Sequence, residues 1–548
     1  MRSPFELSSQ LVDDIVALDP LLATQLGVPG SDHLWPDMSP EGWDSRASLL
    51  RRYRRDFQAQ LDHEVGEERL AARVLLEWID IQLRGYESGD HQWNVGHMAT
   101  PLDEIRGVFD IMAVHSEEGW ESVCQRLETV GDAWNGYLET LLKGLEHGLL
   151  ASRRQVESAV RQLDELAGDD GAWDLLVAKA SPKIAPGAEA ALTTAKAATA
   201  DFAASLRTEY LPRAPREDGV GLERYVRAAE RFLGMDVDPE EIYDWAWSEI
   251  RRLSEEIVRV GEEISPDEPD PLSVGRLLEG DPGRAAYTIE EFVDFIEGRL
   301  EQALRDLEGS HFEVSPEIRK LTVNIAPPGH PLGAYYLAPS EDFSRPGGVW
   351  YSIGDREFHP LYQEVSTAYH EGFPGHHLQI GTSMSAGDRL SRAHRLLVWY
   401  SGYGEGWALY AERLMDELGY FEMPEYRFGM LASHLFRAAR VVVDIGLHLG
   451  LRIPDEAPLF GGERWDFDRA VAYMERIGLQ PHDYAVSEVT RYLGWPGQAI
   501  SYKVGEREIL AVRDEVRGRG RFDLKAFHHS VLQDGEMGLA LLRENLLS

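Results

Sequence analysis

The chain is short of cations, of cysteine and of long apolar runs, and each shortage removes a class of function. Against 94 Asp and Glu it has only 55 Lys and Arg, a formal net charge of −39 over 548 residues. A surface this acidic repels phosphate backbones and anionic lipid headgroups, which argues against nucleic acid and membranes as partners. The single cysteine, Cys124, excludes an intramolecular disulfide, a cysteine-rich zinc site and a dithiol redox pair. No run of about 18 apolar residues occurs, so no segment is expected to span a bilayer. The opening residues, Met1-Arg2-Ser3-Pro4-Phe5-Glu6, lack a basic-then-apolar secretion pattern, because Asp13 and Asp14 interrupt the first apolar stretch. The expectation is a cytoplasmic protein.

What remains is globular and mostly helical. The composition, 43% hydrophobic and 27% charged, suits a buried core rather than a disordered or fibrous chain. Apolar residues at three- and four-residue spacing predict helix over Arg51–Arg84, Trp120–Leu149, Ser152–Leu166, Ala188–Tyr210 and Leu222–Leu233. Asp238-Pro239-Glu240-Glu241 and Ser315-Pro316-Glu317 carry a capping residue, a proline and first-turn acids, the signature of helix starts. Three prolines within Ser265–Pro271 forbid helix there, as a linker or as a surface loop between helices. They suggest an N-terminal helical region, 1–270, and a catalytic region, 271–548, as two halves of one compact unit. Short β-branched or aromatic runs at Leu321–Ile325, Ala334–Leu337 and Val349–Ser352 predict one small sheet. The fold class is mainly α with a small β-sheet beside the most chemically loaded segment.

That segment is Thr367-Ala368-Tyr369-His370-Glu371-Gly372-Phe373-Pro374-Gly375-His376-His377-Leu378-Gln379. His-Glu with a further His nearby is the donor set of a zinc hydrolase, in which imidazoles hold the ion and the Glu activates its water. The usual second His stands at i+4, on the same helix face, but here that position is Pro374. In a regular helix His376 would lie about 9 Å along the axis from His370, and His377 about 10 Å, too far to share an ion. Pro374, Gly372 and Gly375 allow a two-residue bulge that would bring a second His round. The other outcome is a helix that ends at Phe373, with structural histidines beyond it.

A second segment, Ser401-Gly402-Tyr403-Gly404-Glu405-Gly406-Trp407-Ala408-Leu409-Tyr410-Ala411-Glu412, opens a helix with Glu405 and Glu412 on one face. The two stand about 10 Å apart along the axis, so one at most binds the same ion. Glycines flanking Glu405 let another backbone approach, which suits a metal ligand, and Glu412 suits a supporting or substrate-contacting place.

Together H-E-x-x-P-G-H-H-L-Q and G-E-G-W-A-L-Y-x-E resemble the family known as domain of unknown function 885, regarded as zinc metallopeptidases related to the gluzincins. The resemblance extends over nearly the whole chain, from Asp19-Pro20-Leu21-Leu22-Ala23-Thr24-Gln25-Leu26-Gly27 to the C-terminal segments. It implies a zincin-like helical fold around a deep cleft and one Zn²⁺ held by His370, His376 and Glu405. It favours His376 over His377, a choice that spacing leaves open. A His₂Glu set also accommodates other divalent metals such as Mn²⁺, Fe²⁺ or Co²⁺.

Two later stretches offer supporting groups and also resemble the family. Arg437, Arg440, Asp444 and His448 form a polar stripe on an apolar helix, either a salt-bridge network or, through Asp444, an orienting partner for a ligand His. In Arg491–Lys503, Tyr492 or Tyr502 could donate to an oxyanion, and Arg491 or Lys503 could hold a substrate carboxylate. His528 or His529 could add a hydrogen bond, or simply end a surface helix.

The resulting expectation is a zinc-dependent peptidase that cleaves short peptides. Glu371 would act as general base, and the strand near Val349–Ser352 would pair with the extended substrate. The same residues would serve a small non-peptide amide or ester. If Pro374 prevents the site from forming, the chain is a non-catalytic binding protein.

Overall fold

The structure, a computed structural model, describes residues 2–61, 65–326, 333–354 and 356–548. It is mainly helical with a small sheet, as expected. Among the described residues no helix is long and apolar enough to cross a membrane.

Two compact units partition the chain. The first comprises Met1–Gly219 with two later insertions, Ser391–Leu397 and Thr490–Trp495, and the second holds the remainder. The first unit is built around the helix Glu117–His147 packed on the helix Ala185–Ser205. The alanine-rich stretch is thus helix, and Ala188, Ala191 and Ala195 are its buried face. Trp134 stacks on Phe202, with ring centroids 4.9 Å apart, and donates its indole N–H to Thr199. Arg126 is wholly buried in this core, makes no ion pair among the described residues, and donates its guanidinium N–H groups to the carbonyls of Leu34, Pro20 and Ser31. Burial pushes its pKa down to about 10, still far above neutrality, so it stays charged.

Two helical expectations need correction. Arg51–Arg84 is two helices, Pro40–Gln58 and Gly66–Glu87, packed side by side; residues 62–64 between them lie outside the described residues. Periodicity cannot see such a break, because both helices keep their apolar faces toward one core. Ser315-Pro316 starts only a single tight turn, Pro316–Arg319, because Leu321 already begins a strand. By contrast, Asp238 caps the helix Pro239–Ile264 by accepting from the Glu240 and Glu241 N–H groups. The proline-rich segment is a loop inside the second unit, between that helix and Pro271–Glu279.

In the second unit the helix Pro424–Leu449 is buried along most of its length against Pro239–Ile264. The helix Ser401–Glu417 packs closely on Ser501–Gly518. The close approach is made by glycines: a Cβ on Gly406 would lie 2.5 Å from the Gly505 carbonyl carbon. The sheet has three strands, with Gly347–Ser352 in the middle, parallel to Leu321–Ile325 and antiparallel to Gly333–Leu337. This corrects the expected substrate strand. The Val349–Ser352 backbone already pairs on both sides, so an added peptide could join only one of the outer strands.

The glycine contact yields a stability prediction. Gly406→Ala is expected to destabilise the chain by about 1–3 kcal/mol through overpacking. Gly275→Ala, in a helix with nothing within 4 Å of the new methyl, should be neutral or stabilising. Urea denaturation of the two variants checks the contrast.

Candidate metal centre

The His370 helix, Glu364–Glu371, stops at Glu371, and a new helix, His376–Ser385, begins after Gly372-Phe373-Pro374-Gly375. The expected bulge inside one helix is therefore a complete break, with a cis Phe373–Pro374 peptide. The break nonetheless brings the two ends together. A Cβ on Gly375 would lie 1.9 Å from the His370 carbonyl oxygen, so only glycine fits there. The His377 N–H donates to the Gly372 carbonyl at 3.1 Å, and Trp407 donates its indole N–H to the Pro374 carbonyl at 2.9 Å. Trp407 thus ties the break to the helix that carries Glu405.

The imidazoles of His370 and His376 consequently stand at right angles with centroids 5.0 Å apart. Glu405 Oε2 lies 3.3 Å from His370 Nε2 and 3.5 Å from His376 Nε2. Donors bound at zinc-like lengths around a tetrahedral ion are about 3.3–3.4 Å from one another. Among the described residues this trio is the one group of three His, Cys, Asp or Glu side chains with ligand atoms all within 4.8 Å. Its donors and spacing fit a divalent ion. Gly406 meets the backbone of Gly505, whereas Gly404 is covered by the ring of Trp399.

Behind the trio, Glu412 accepts a hydrogen bond at His370 Nδ1, 2.7 Å away, which leaves Nε2 directed at Glu405. Ser366 donates its hydroxyl to the other oxygen of Glu412, and His434 Nε2 is 3.6 Å from that oxygen. Burial disfavours charge on Glu405 and Glu412, yet the surrounding imidazoles, with Arg437 acting on Glu412, hold both well below the usual carboxylate range. Burial also opposes charge on His370, but its bonds to Glu405 and Glu412 outweigh it and raise its pKa to about 9. Glu371 is raised by burial, against the pull of the His370 and His376 imidazoles.

The other candidates take different places. His377 faces the sheet, with Nε2 2.6 Å from the Ile318 carbonyl and Nδ1 3.0 Å from the Tyr336 hydroxyl, so neither nitrogen is left for a metal. Burial pushes its pKa down to about 4. Lys503 is fully buried between Glu506 and Glu249, 2.9 Å from the latter, and is spent on those carboxylates rather than a substrate. Asp444 accepts from the Tyr225 hydroxyl at 2.7 Å and the Gly497 N–H at 3.0 Å; it ties its helix to the helix Leu222–Leu233 and to the turn at Gly497, while Glu412 is the carboxylate at His370. Tyr502 lies beside His370, its ring nearly parallel at a centroid distance of 6.5 Å. Arg491 and Tyr492 belong to the first unit, where the guanidinium lies 4.9 Å over a fully buried Tyr492 ring. His528 is a core residue, stacked on Phe312 and 2.8 Å from the Tyr410 hydroxyl, and His529 is exposed.

Sequence reasoning passed over two neighbours of the trio. Trp399, 46% exposed, has its ring centroid 6.3 Å from that of His376, and its place just ahead of the glycine-rich motif was the available signal. His434 sits one turn before Arg437 on the polar stripe and extends it toward Glu412.

A family profile described as "Bacterial protein of unknown function (DUF885)" matches residues 20–546. The chain belongs to the DUF885 family. No curated protein matches this DUF885 chain. The crystal structure of the "putative lipoprotein from Colwellia psychrerythraea" is similar to it with a TM-score of 0.85 at 22% identity, over 99% of this chain and 98% of that one. A second structure, of a "putative lipoprotein of unknown function from Shewanella oneidensis", is similar with a TM-score of 0.74 at 18% identity over 100% of both chains. At these identities the likeness is one of fold.

Two outcomes follow for metal loading. His376→Ala should lose stoichiometric zinc on elemental analysis, and His377→Ala should keep it. A zinc ion taken up by the trio would have to displace the proton that His370 holds up to about pH 9 in the metal-free chain. Apparent affinity is therefore expected to rise by about tenfold per pH unit between pH 7 and pH 9, as read by competition with a chromogenic chelator.

Proposed function

We propose that the chain is a zinc-dependent peptidase of short peptides. The observation that carries this reading is the convergence of His370 Nε2, His376 Nε2 and a Glu405 oxygen beside Glu371. Among the described residues Glu371 has no hydrogen bond or ion pair of its own. A structural glutamate between two buried imidazoles would be paired with a donor; one that acts on a substrate proton must be left open.

His370, His376 and Glu405 would hold the ion, with Glu412 fixing the tautomer of His370. A zinc ion held there supplies an acidified water and positive charge for the scissile carbonyl. Glu371 accepts a proton from the attacking water and returns it to the departing amine, so it ends the cycle in its starting state. Burial raises its pKa, against the pull of the two imidazoles. Tyr502, beside His370, is the hydroxyl proposed for the oxyanion. The preference for slender substrates rests on burial: His370 is 3% and His376 6% exposed, which a loop on a folded protein would not easily reach.

Glu371→Gln tests the mechanism. It should keep one zinc per chain and lower kcat/KM on cleaved peptides by at least about a thousandfold. Full activity in that variant removes the general-base role, and a wild-type chain that rejects zinc removes the hydrolase reading.

A further inference from the structure

The strongest unexplained feature of the second unit is Arg437. Among the described residues it has no carboxylate partner, although the chain carries 94 acids and most of its arginines are paired. Its side chain is half-buried on the helix Pro424–Leu449. Nη1 donates to the Ser433 hydroxyl and, at 3.4 Å, to the Ser433 carbonyl, both on its own helix. Nε is buried with no acceptor. A half-buried guanidinium bonded only to a serine of its own helix keeps donors that a carboxylate could take.

Its surroundings indicate what is missing. The Arg437 guanidinium lies 5.5 Å from the centroid of the Tyr502 ring, the ring that also runs nearly parallel to His370 at 6.5 Å. Arg440 lies over the same ring at 4.8 Å, but its charge is met by Glu488 at 2.8 Å. Of the two guanidiniums on Tyr502, the one without a carboxylate is therefore Arg437. Its charge acts on His370, Glu371 and Glu412, so it stands within electrostatic reach of the candidate metal centre.

We propose that Arg437 receives the free C-terminal carboxylate of a short peptide bound at the His370–His376–Glu405 centre. This rests on the peptidase reading and narrows its substrate class. A guanidinium offers paired N–H donors that match a carboxylate, a fit that the compact ammonium of lysine does not reproduce. An extended residue spans about 3.5 Å, so a carboxylate seated near Tyr502 places the cleaved bond one or two residues from the C-terminus. The chain then removes one or two C-terminal residues rather than cutting internally. The assignment also accounts for Lys503: buried between Glu249 and Glu506, it leaves carboxylate recognition to Arg437.

The experiment compares the zinc-loaded full chain with Arg437→Met and Arg437→Lys on two short peptides of one sequence, ending in a free acid or an amide. The wild type should favour the acid in kcat/KM by at least about thirtyfold. Arg437→Met should collapse that ratio toward one, and Arg437→Lys should restore part of it. Equal use of acid and amide by the wild type, or equal loss on both peptides in Arg437→Met, overturns the assignment; the second result is what a merely electrostatic or structural role produces. If the wild type cleaves neither peptide, the peptidase reading fails separately, and calorimetry on Glu371→Gln decides the subsite. Tighter binding of the acid, lost on adding Arg437→Met, supports it, and equal binding of acid and amide refutes it. Circular dichroism of each variant confirms that the fold is retained.

Discussion

One indole hydrogen bond, from Trp407 to the Pro374 carbonyl, joins the two segments on which the candidate site depends. Pro374 has no N–H to continue the helix, so the chain breaks between Glu371 and His376. Left alone, such a break is free to splay. Here Gly375 lies hard against the His370 carbonyl, and Trp407 clasps the turn from the neighbouring helix. Because Trp407 stands two residues after Glu405, the contact that closes the break also sets the third donor opposite the two imidazoles. The Gly406–Gly505 approach fixes the depth of that helix in turn.

The second consequence is a chain of buried charges. His370 leans on Glu412, Glu412 on Ser366 and His434, and His434 neighbours Lys503 and Glu506. In an acidic protein this arrangement places cations where several glutamates must be desolvated together. Such networks do not add much net stability, since desolvation offsets most of the attraction. What they do is hold one geometry, because displacing any member leaves its partner buried and unmatched. Lys503 is thereby committed to structure, and among the described residues Arg437 makes no ion pair with an acid.

The sheet contributes by a different route. His377 donates or accepts at both ring nitrogens toward Ile318 and Tyr336, which anchors the start of the His376 helix to the strands. Adjacent histidines thus divide the labour: one is held by the sheet and its neighbour turns toward Glu405. The middle strand is occupied on both sides, so it serves as a floor for this anchor rather than as a template for substrate.

By itself the sequence determined the helical class, the small sheet and the residue types of the centre. These are local properties: periodicity marks helices, capping residues mark their starts, and His-Glu with a nearby His and Glu marks a donor set. The tertiary structure decided everything that depends on distant partners. Arg51–Arg84 kept one apolar rhythm through a break that only packing reveals. Helical spacing placed both His376 and His377 out of reach, and folding turns His376 toward Glu405 while the Ile318 carbonyl and the Tyr336 hydroxyl engage His377. Asp444 and Glu412 looked alike as supports until Tyr225 and Gly497 claimed one and His370 the other. The pairing of a charge is not written in its neighbours along the chain, because burial and the residues brought alongside by folding set both its cost and its partner.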